Sequence, residues 1–186
     1  QQTRVAYEHG LRRVLMANQL VGKQNMEIIA RLLRDEKFEY YCLVDSVQLV
    51  EQLGAFFSSR KQRLNILIEL GVEGGRTGIR NQSELDALLV ALDRWRESIA
   101  VCGIELYEGV LEDEVSIRAF LQRAIETSAT LAKENLFDRN PMILTGAGSA
   151  WYDVVAEVFS KADIGYPVEV VLRPGCYLTH DVGVYR

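Results

Sequence analysis

The chain has 186 residues, a formal net charge of −5, 48% hydrophobic and 25% charged residues. That length suits one domain with a real core. The acidic balance excludes a basic footprint for nucleic acid or anionic membrane, and no apolar run approaches the roughly 20 residues that span a bilayer. Cys42, Cys102 and Cys176 are odd in number, far apart and set in apolar segments. They read as reduced thiols of a cytoplasmic protein, not as a disulfide framework or a metal cluster. With His9 and His180 as the two histidines, a histidine-based zinc site is nearly excluded.

Short β-branched runs alternate with longer amphipathic stretches. Thr3–Gly10 reads as the end of a helix that began outside the chain, and the abrupt start at Gln1 and stop at Arg186 lead us to expect missing parts at both ends. Arg12–Ala17 is a predicted strand, followed by a helix over Gly22–Arg34 with Met26, Ile29, Leu32 and Leu33 on one face. Glu39–Val44 is the second strand, and Ser46–Ser58 the second helix, with Asp45 or Ser46 as its N-cap. Leu64–Leu70 is the third strand and ends in a glycine-rich turn, Gly71–Gly78; a helix from Ser83 to Glu97 follows. Ile99–Tyr107 is the fourth strand, and Glu112–Glu134 a long helix with an acidic first turn. Met142–Leu144 opens the fifth strand, Ser149–Ser160 is helical, and Val168–Leu172 is the sixth strand.

Near-continuous apolar strands separated by helices predict parallel βα units in an α/β fold. An open doubly wound sheet and a (β/α) barrel share that unit, so periodicity does not separate them. A full barrel takes about 250 residues. Six strands in this length fit a partial (β/α)8 TIM barrel lacking its first strands, with residues 1–186 as one incomplete barrel domain.

In such folds chemistry sits at the C-terminal strand ends. These ends are Ala17–Gln19, Val44–Ser46, Glu69–Gly78, Glu105–Gly109, Thr145–Ala150 and Arg173–Tyr177, each richer in polar groups or glycine than its strand. The turn Thr145–Ala150 follows a strand and opens a predicted helix. Its N–H groups and the Ser149 hydroxyl suit a phosphate, though Ser149 could equally be a plain N-cap. The turn lacks both a Walker lysine and the third glycine of a dinucleotide fingerprint. Glu69, in an otherwise apolar strand, needs a partner. Arg76 is the obvious one, unless it grips a substrate carboxylate instead. Arg173 reads as either a site arginine or a surface one. His180 and Asp181 point to opposite faces if extended, which favours a structural role.

Together, the segments Arg13–Gly22, Glu69–Ile79, Gly103–Gly109, Gly146–Ala150 and Leu172–Asp181 resemble the fold-type III pyridoxal-phosphate enzymes, the alanine-racemase-like barrels. The likeness is to the D-threonine aldolase and D-serine dehydratase-like branch, which includes amino-acid deaminases. The resemblance implies pyridoxal phosphate as cofactor, a small D-amino acid as substrate and lyase or racemase-type chemistry. A barrel short of two strands has two unpaired edges, its first and last strands, which predicts a homodimer or coverage of those edges. The resemblance also implies that Ser149, with Gly148 beside it and the backbone of Gly175 and Cys176, holds the cofactor phosphate. Arg173 matches the arginine facing the pyridine nitrogen, Tyr107 an aromatic ring at the cofactor plane, and Arg76 an arginine near the cofactor oxygen. Glu69 falls where racemases carry a carbamylated lysine. The resemblance further implies a Schiff-base lysine on a strand before Gln1. It also implies a β-domain after Arg186 carrying a divalent metal such as zinc or manganese, so the chain alone is expected to be inactive. A non-catalytic pyridoxal-phosphate homeostasis barrel is the alternative.

Overall fold

The computed structural model describes residues 1–177, the side chain of Tyr177 excepted. His180 and Asp181 therefore lie outside the described residues. The elements alternate as read from the sequence: α1 Gln2–Glu8, β1 Arg13–Gln19, α2 Lys23–Leu32, β2 Glu39–Val44, α3 Val47–Ser58, β3 Leu64–Leu70 and α4 Gln82–Arg94. They continue with β4 Ile99–Leu106, α5 Glu114–Lys133, β5 Met142–Gly146, α6 Tyr152–Ser160 and β6 Val168–Leu172. Short 3-10 turns follow β4 at Glu108–Val110 and β6 at Gly175–Tyr177.

The six strands form one sheet in the order β1-β2-β3-β4-β5-β6. Pairs β1–β2, β2–β3, β4–β5 and β5–β6 are parallel. A doubly wound sheet reverses its strand order at a switch point, whereas a (β/α) barrel keeps chain order. The order decides for the barrel topology, with six of the eight units of a complete one.

By packing, the chain divides into two compact units: residues 1–68 with 79–101, and residues 69–78 with 102–186. In the first, Tyr40, Leu43, Leu53, Phe57, Ile66 and Leu88 are almost fully buried. In the second, Ile104, Leu106, Ile117, Leu121, Leu144 and Val155 are buried just as completely. β4 is buried along its whole length, which explains its unbroken apolar sequence; its one charged member, Glu105, is therefore a buried carboxylate. β1 and β6, at the two ends of the strand order, are the least buried strands, because among the described residues each has a strand on one side alone.

Helix starts depart from the sequence reading where caps compete. α4 begins at Gln82, because the Asn81 side chain accepts the Glu84 N–H at 3.0 Å while Glu84 returns a bond to the Arg80 N–H at 2.8 Å. Asp113 caps α5 through the Ser116 N–H at 2.8 Å, which moves its start to Glu114. Ser46 holds the N-cap position of α3 without a side-chain cap bond. α6 starts three residues later than expected, at Tyr152 with Trp151 as its N-cap, so Ser149 is not a helix cap. Its hydroxyl is committed elsewhere.

Candidate functional site

The strand ends of the second unit converge chemically. Three carboxylates there are almost wholly buried: Glu69 (5% exposed), Glu105 (2%) and Glu108 (0%). Burial of a carboxylate is costly unless hydrogen bonds or cations compensate, and each of these has a different compensation.

Glu69 ends β3 and accepts a hydrogen bond from the Thr77 hydroxyl across the glycine turn. Arg76, one residue earlier, is exposed and lines a small cleft together with Glu69, Thr77, Tyr107 and Val110. The Thr77 hydroxyl is thus one partner of the carboxylate in that turn, and the Arg76 guanidinium stands at the cleft. The turn is anchored from α5, where Arg123 donates to the Gly71 carbonyl.

Glu105, at the end of β4, accepts from Nη2 of Arg173. Arg173 also donates from Nη2 to the Leu106 carbonyl at 3.0 Å and from Nε to the Thr145 hydroxyl at 3.0 Å. Arg173 is no surface arginine; it ties the ends of β4, β5 and β6 together. The Glu105 carboxyl is pushed up to about 7, chiefly by burial and to a lesser degree by the neighbouring charges of Glu69 and Glu108, against the opposing pull of the Arg173 charge. Its second oxygen, Oε2, is buried without a hydrogen-bond partner.

Glu108 sits in the 3-10 turn after β4 and accepts from the N–H groups of Ala147 (3.0 Å) and Gly148 (2.5 Å). Ala147 has φ +79, a left-handed conformation that turns successive N–H groups to one side. The same turn continues to Ser149, whose hydroxyl oxygen accepts from the Cys176 N–H at 2.9 Å. The Tyr107 ring lies against this turn: a Cβ at Gly148 would come within 2.9 Å of it and would have to displace the ring. Because Tyr107 also lines the Glu69–Arg76 cleft, it borders both halves of the site.

The structure thus brings Tyr107, Gly148, Ser149 and Cys176 into one loop cluster and places Arg76 and Glu69 on a cleft that shares Tyr107. Gly175 is exposed beside Cys176. Glu105, Glu108, Thr145 and Thr77 are the site residues that had no role in the sequence reading. Glu105 carried the same signal as Glu69, a charge inside an apolar strand. Nothing in the pattern marked Glu108, whose partners are backbone N–H groups.

No protein-family model and no curated protein sequence matches the chain. Solved structures do. D-threonine aldolase from Filomicrobium marinum matches with a TM-score of 0.70 at 21% identity, over 95% of this chain and 46% of that one. D-threo-3-hydroxyaspartate dehydratase from Delftia sp. HT23 matches with a TM-score of 0.63 at 18% identity, over 91% of this chain and 44% of that one. PipY of Synechococcus elongatus PCC7942, solved with PLP bound, matches with a TM-score of 0.57 at 14% identity, over 92% of this chain and 84% of that one. The chain has the fold of a fold-type III pyridoxal-phosphate barrel. It spans a little under half the length of the aldolase and the dehydratase.

The turn after β5 already receives one carboxylate of the chain itself, Glu108, on two backbone N–H groups. Ser149, having accepted from Cys176, still has its hydroxyl proton to donate. All five lysines, Lys23, Lys37, Lys61, Lys133 and Lys161, lie on helices or in loops, and none ends a strand. Among the described residues no cluster of His, Cys, Asp and Glu could hold a metal ion, and no helix is long and apolar enough to cross a membrane.

Proposed function

We propose that this chain is the cofactor-phosphate half of a pyridoxal-phosphate-dependent enzyme acting on a small D-amino acid, with aldolase, dehydratase-deaminase or racemase-type chemistry. The observation that carries the reading is the turn Gly146–Ser149, which receives a carboxylate on its N–H groups at the C-terminal end of β5 and is tied through Ser149 to Cys176. The Ser149 hydroxyl and the Gly175 N–H hold the phosphate, while the Gly148 and Cys176 N–H groups, given to Glu108 and to Ser149, fix the shape of the cradle. Tyr107 packs beside them. Arg173, fixed by Glu105 and Thr145, faces the cofactor ring, and its charge is partly offset by Glu105. Arg76 grips a carboxylate of the substrate, for which its forked donors are suited. Glu69, steadied by Thr77, supplies a fixed negative charge at the cleft.

When bound, pyridoxal phosphate supplies an electron sink for breaking a bond at the amino acid α-carbon. None of the five lysines of this chain ends a strand, so the group that attaches it covalently is not one of them. The protein works in the cytoplasm, in keeping with its three free cysteines, and as a homodimer. The match to 84% of PipY favours one second reading, a pyridoxal-phosphate-binding protein without turnover.

The test is titration of the chain with pyridoxal phosphate, followed by calorimetry. Saturable binding that Ser149→Ala weakens about tenfold is expected, with no borohydride-stable adduct on any of the five lysines. Absence of saturable binding, or indifference to Ser149→Ala, overturns the reading. For the full-length protein, turnover of a D-amino acid and not its enantiomer supports the enzyme; cofactor binding without turnover selects the second reading.

A further inference from the structure

We infer that Glu108 is the positioning residue of the phosphate turn, holding Ala147 in its left-handed conformation so that Ser149 presents its hydroxyl to the anion. This rests on the phosphate reading of the loop cluster above and names the residue that builds it. Glu108 is completely buried, and its two carboxylate oxygens take the two successive N–H groups of Ala147 and Gly148. A buried carboxylate bridging adjacent backbone donors is a strong, charge-assisted arrangement. It has a cost to offset: Ala147 is 1% exposed with φ +79, a backbone state that alanine adopts rarely and glycine freely.

The geometry also says how Glu108 acts. With no exposure it is not reached by a ligand and cannot serve as one. It works through the backbone, from behind the turn, while Ser149 on the next residue but one is bonded on the other side to the Cys176 N–H at 2.9 Å. One carboxylate and one hydroxyl thereby link three successive strand-end loops, those after β4, β5 and β6. Loss of the carboxylate frees the turn to relax out of the left-handed state, and Ser149 loses its aim. Position 147 is the lever for separating this role from general stability, because glycine there removes the conformational cost that Glu108 compensates.

The test compares wild type, Glu108→Gln, Ser149→Ala and the double variant Glu108→Gln/Ala147→Gly in calorimetric titrations with pyridoxal phosphate and with pyridoxal, which lacks the phosphate. Thermal melts verify folding; should Glu108→Gln not fold, Glu108→Asp, which keeps the charge on a shorter stem, takes its place with the same expected pattern. Glu108→Gln is expected to weaken pyridoxal phosphate about tenfold while pyridoxal changes less than about twofold. Adding Ala147→Gly should recover most of that loss, which a merely structural role for Glu108 would not predict. Undiminished phosphate-dependent binding in Glu108→Gln, alongside weakening in Ser149→Ala, overturns the inference alone. If Ser149→Ala also binds like wild type, the phosphate reading fails and the inference falls with it.

Discussion

Arg173 donates to one oxygen of Glu105 and leaves the other, Oε2, buried without a partner. The pair therefore does not fully compensate the burial of the carboxylate, and the consequence is a pH dependence of stability. Burial holds the folded-state value near 7 against an ordinary 4.5. Between those values the folded chain keeps a proton that the unfolded chain has released. Stability from this group is thus fully present below about 4.5 and is lost as pH rises through about 7. Glu105→Gln removes the titration. Denaturant melts at pH 5 and pH 8 should show wild type losing on the order of 3 kcal/mol relative to the variant across that interval, at about 1.4 kcal/mol per unit. An equal difference at both values would count against a titrating Glu105.

Gly103 lies in β4 where the backbone of β5 comes closest. A Cβ at this position would sit 1.9 Å from the Ile143 carbonyl oxygen, and φ is +158. The obstacle is backbone in the centre of a buried strand, which has no freedom to move aside. Gly103→Ala is expected to cost more than about 4 kcal/mol or to abolish folding. Circular dichroism melts of the variant are the check, and a change below about 1 kcal/mol would contradict the register Gly103–Ile143.

Much of this architecture is written in the sequence as periodicity. β2 and β3 fall on the residues that their apolar runs mark, because a buried parallel strand has no polar alternation to blur its ends, and β6 does so although it is half-buried or exposed. Helix starts are less legible, since they depend on which of several candidate caps wins: Asn81 over its neighbours, Trp151 rather than Ser149. The site divides along the same line. Ser149, Tyr107 and Arg173 are visible as polar or aromatic residues at strand ends, whereas Glu108 acts on backbone groups of residues 39 and 40 positions away, a pairing that no local pattern encodes. Arg173 shows the opposite case. Its position was evident, but its partners Glu105 and Thr145 came from strands distant in sequence.

β1 and β6 stand at the two ends of the strand order, and their residues are half-buried or exposed where the inner strands are buried. Unpaired strand edges recruit further strands, commonly from a second copy. Sedimentation equilibrium of the chain should accordingly give a dimer, and lysine substitution at Val170, which is 37% exposed in β6, should shift it toward monomer. A wild-type monomer at tens of micromolar, a range typical of weak association, would refute the dimer.

Cys176 takes part in the loop cluster through its backbone: its N–H donates to the Ser149 hydroxyl at 2.9 Å. The thiol is a bystander in that bond, which separates two substitutions that would otherwise look alike. Cys176→Ala keeps the N–H and should leave affinity for pyridoxal phosphate within about twofold of wild type. Cys176→Pro deletes the donor, and the loss of one hydrogen bond to a positioned hydroxyl should weaken the phosphate-bearing ligand by roughly fivefold to tenfold. Titrations with pyridoxal, in which no phosphate calls on Ser149, should show little difference between the two. Equal losses in alanine and proline would assign the role to the sulfur and detach Ser149 from the segment that follows β6.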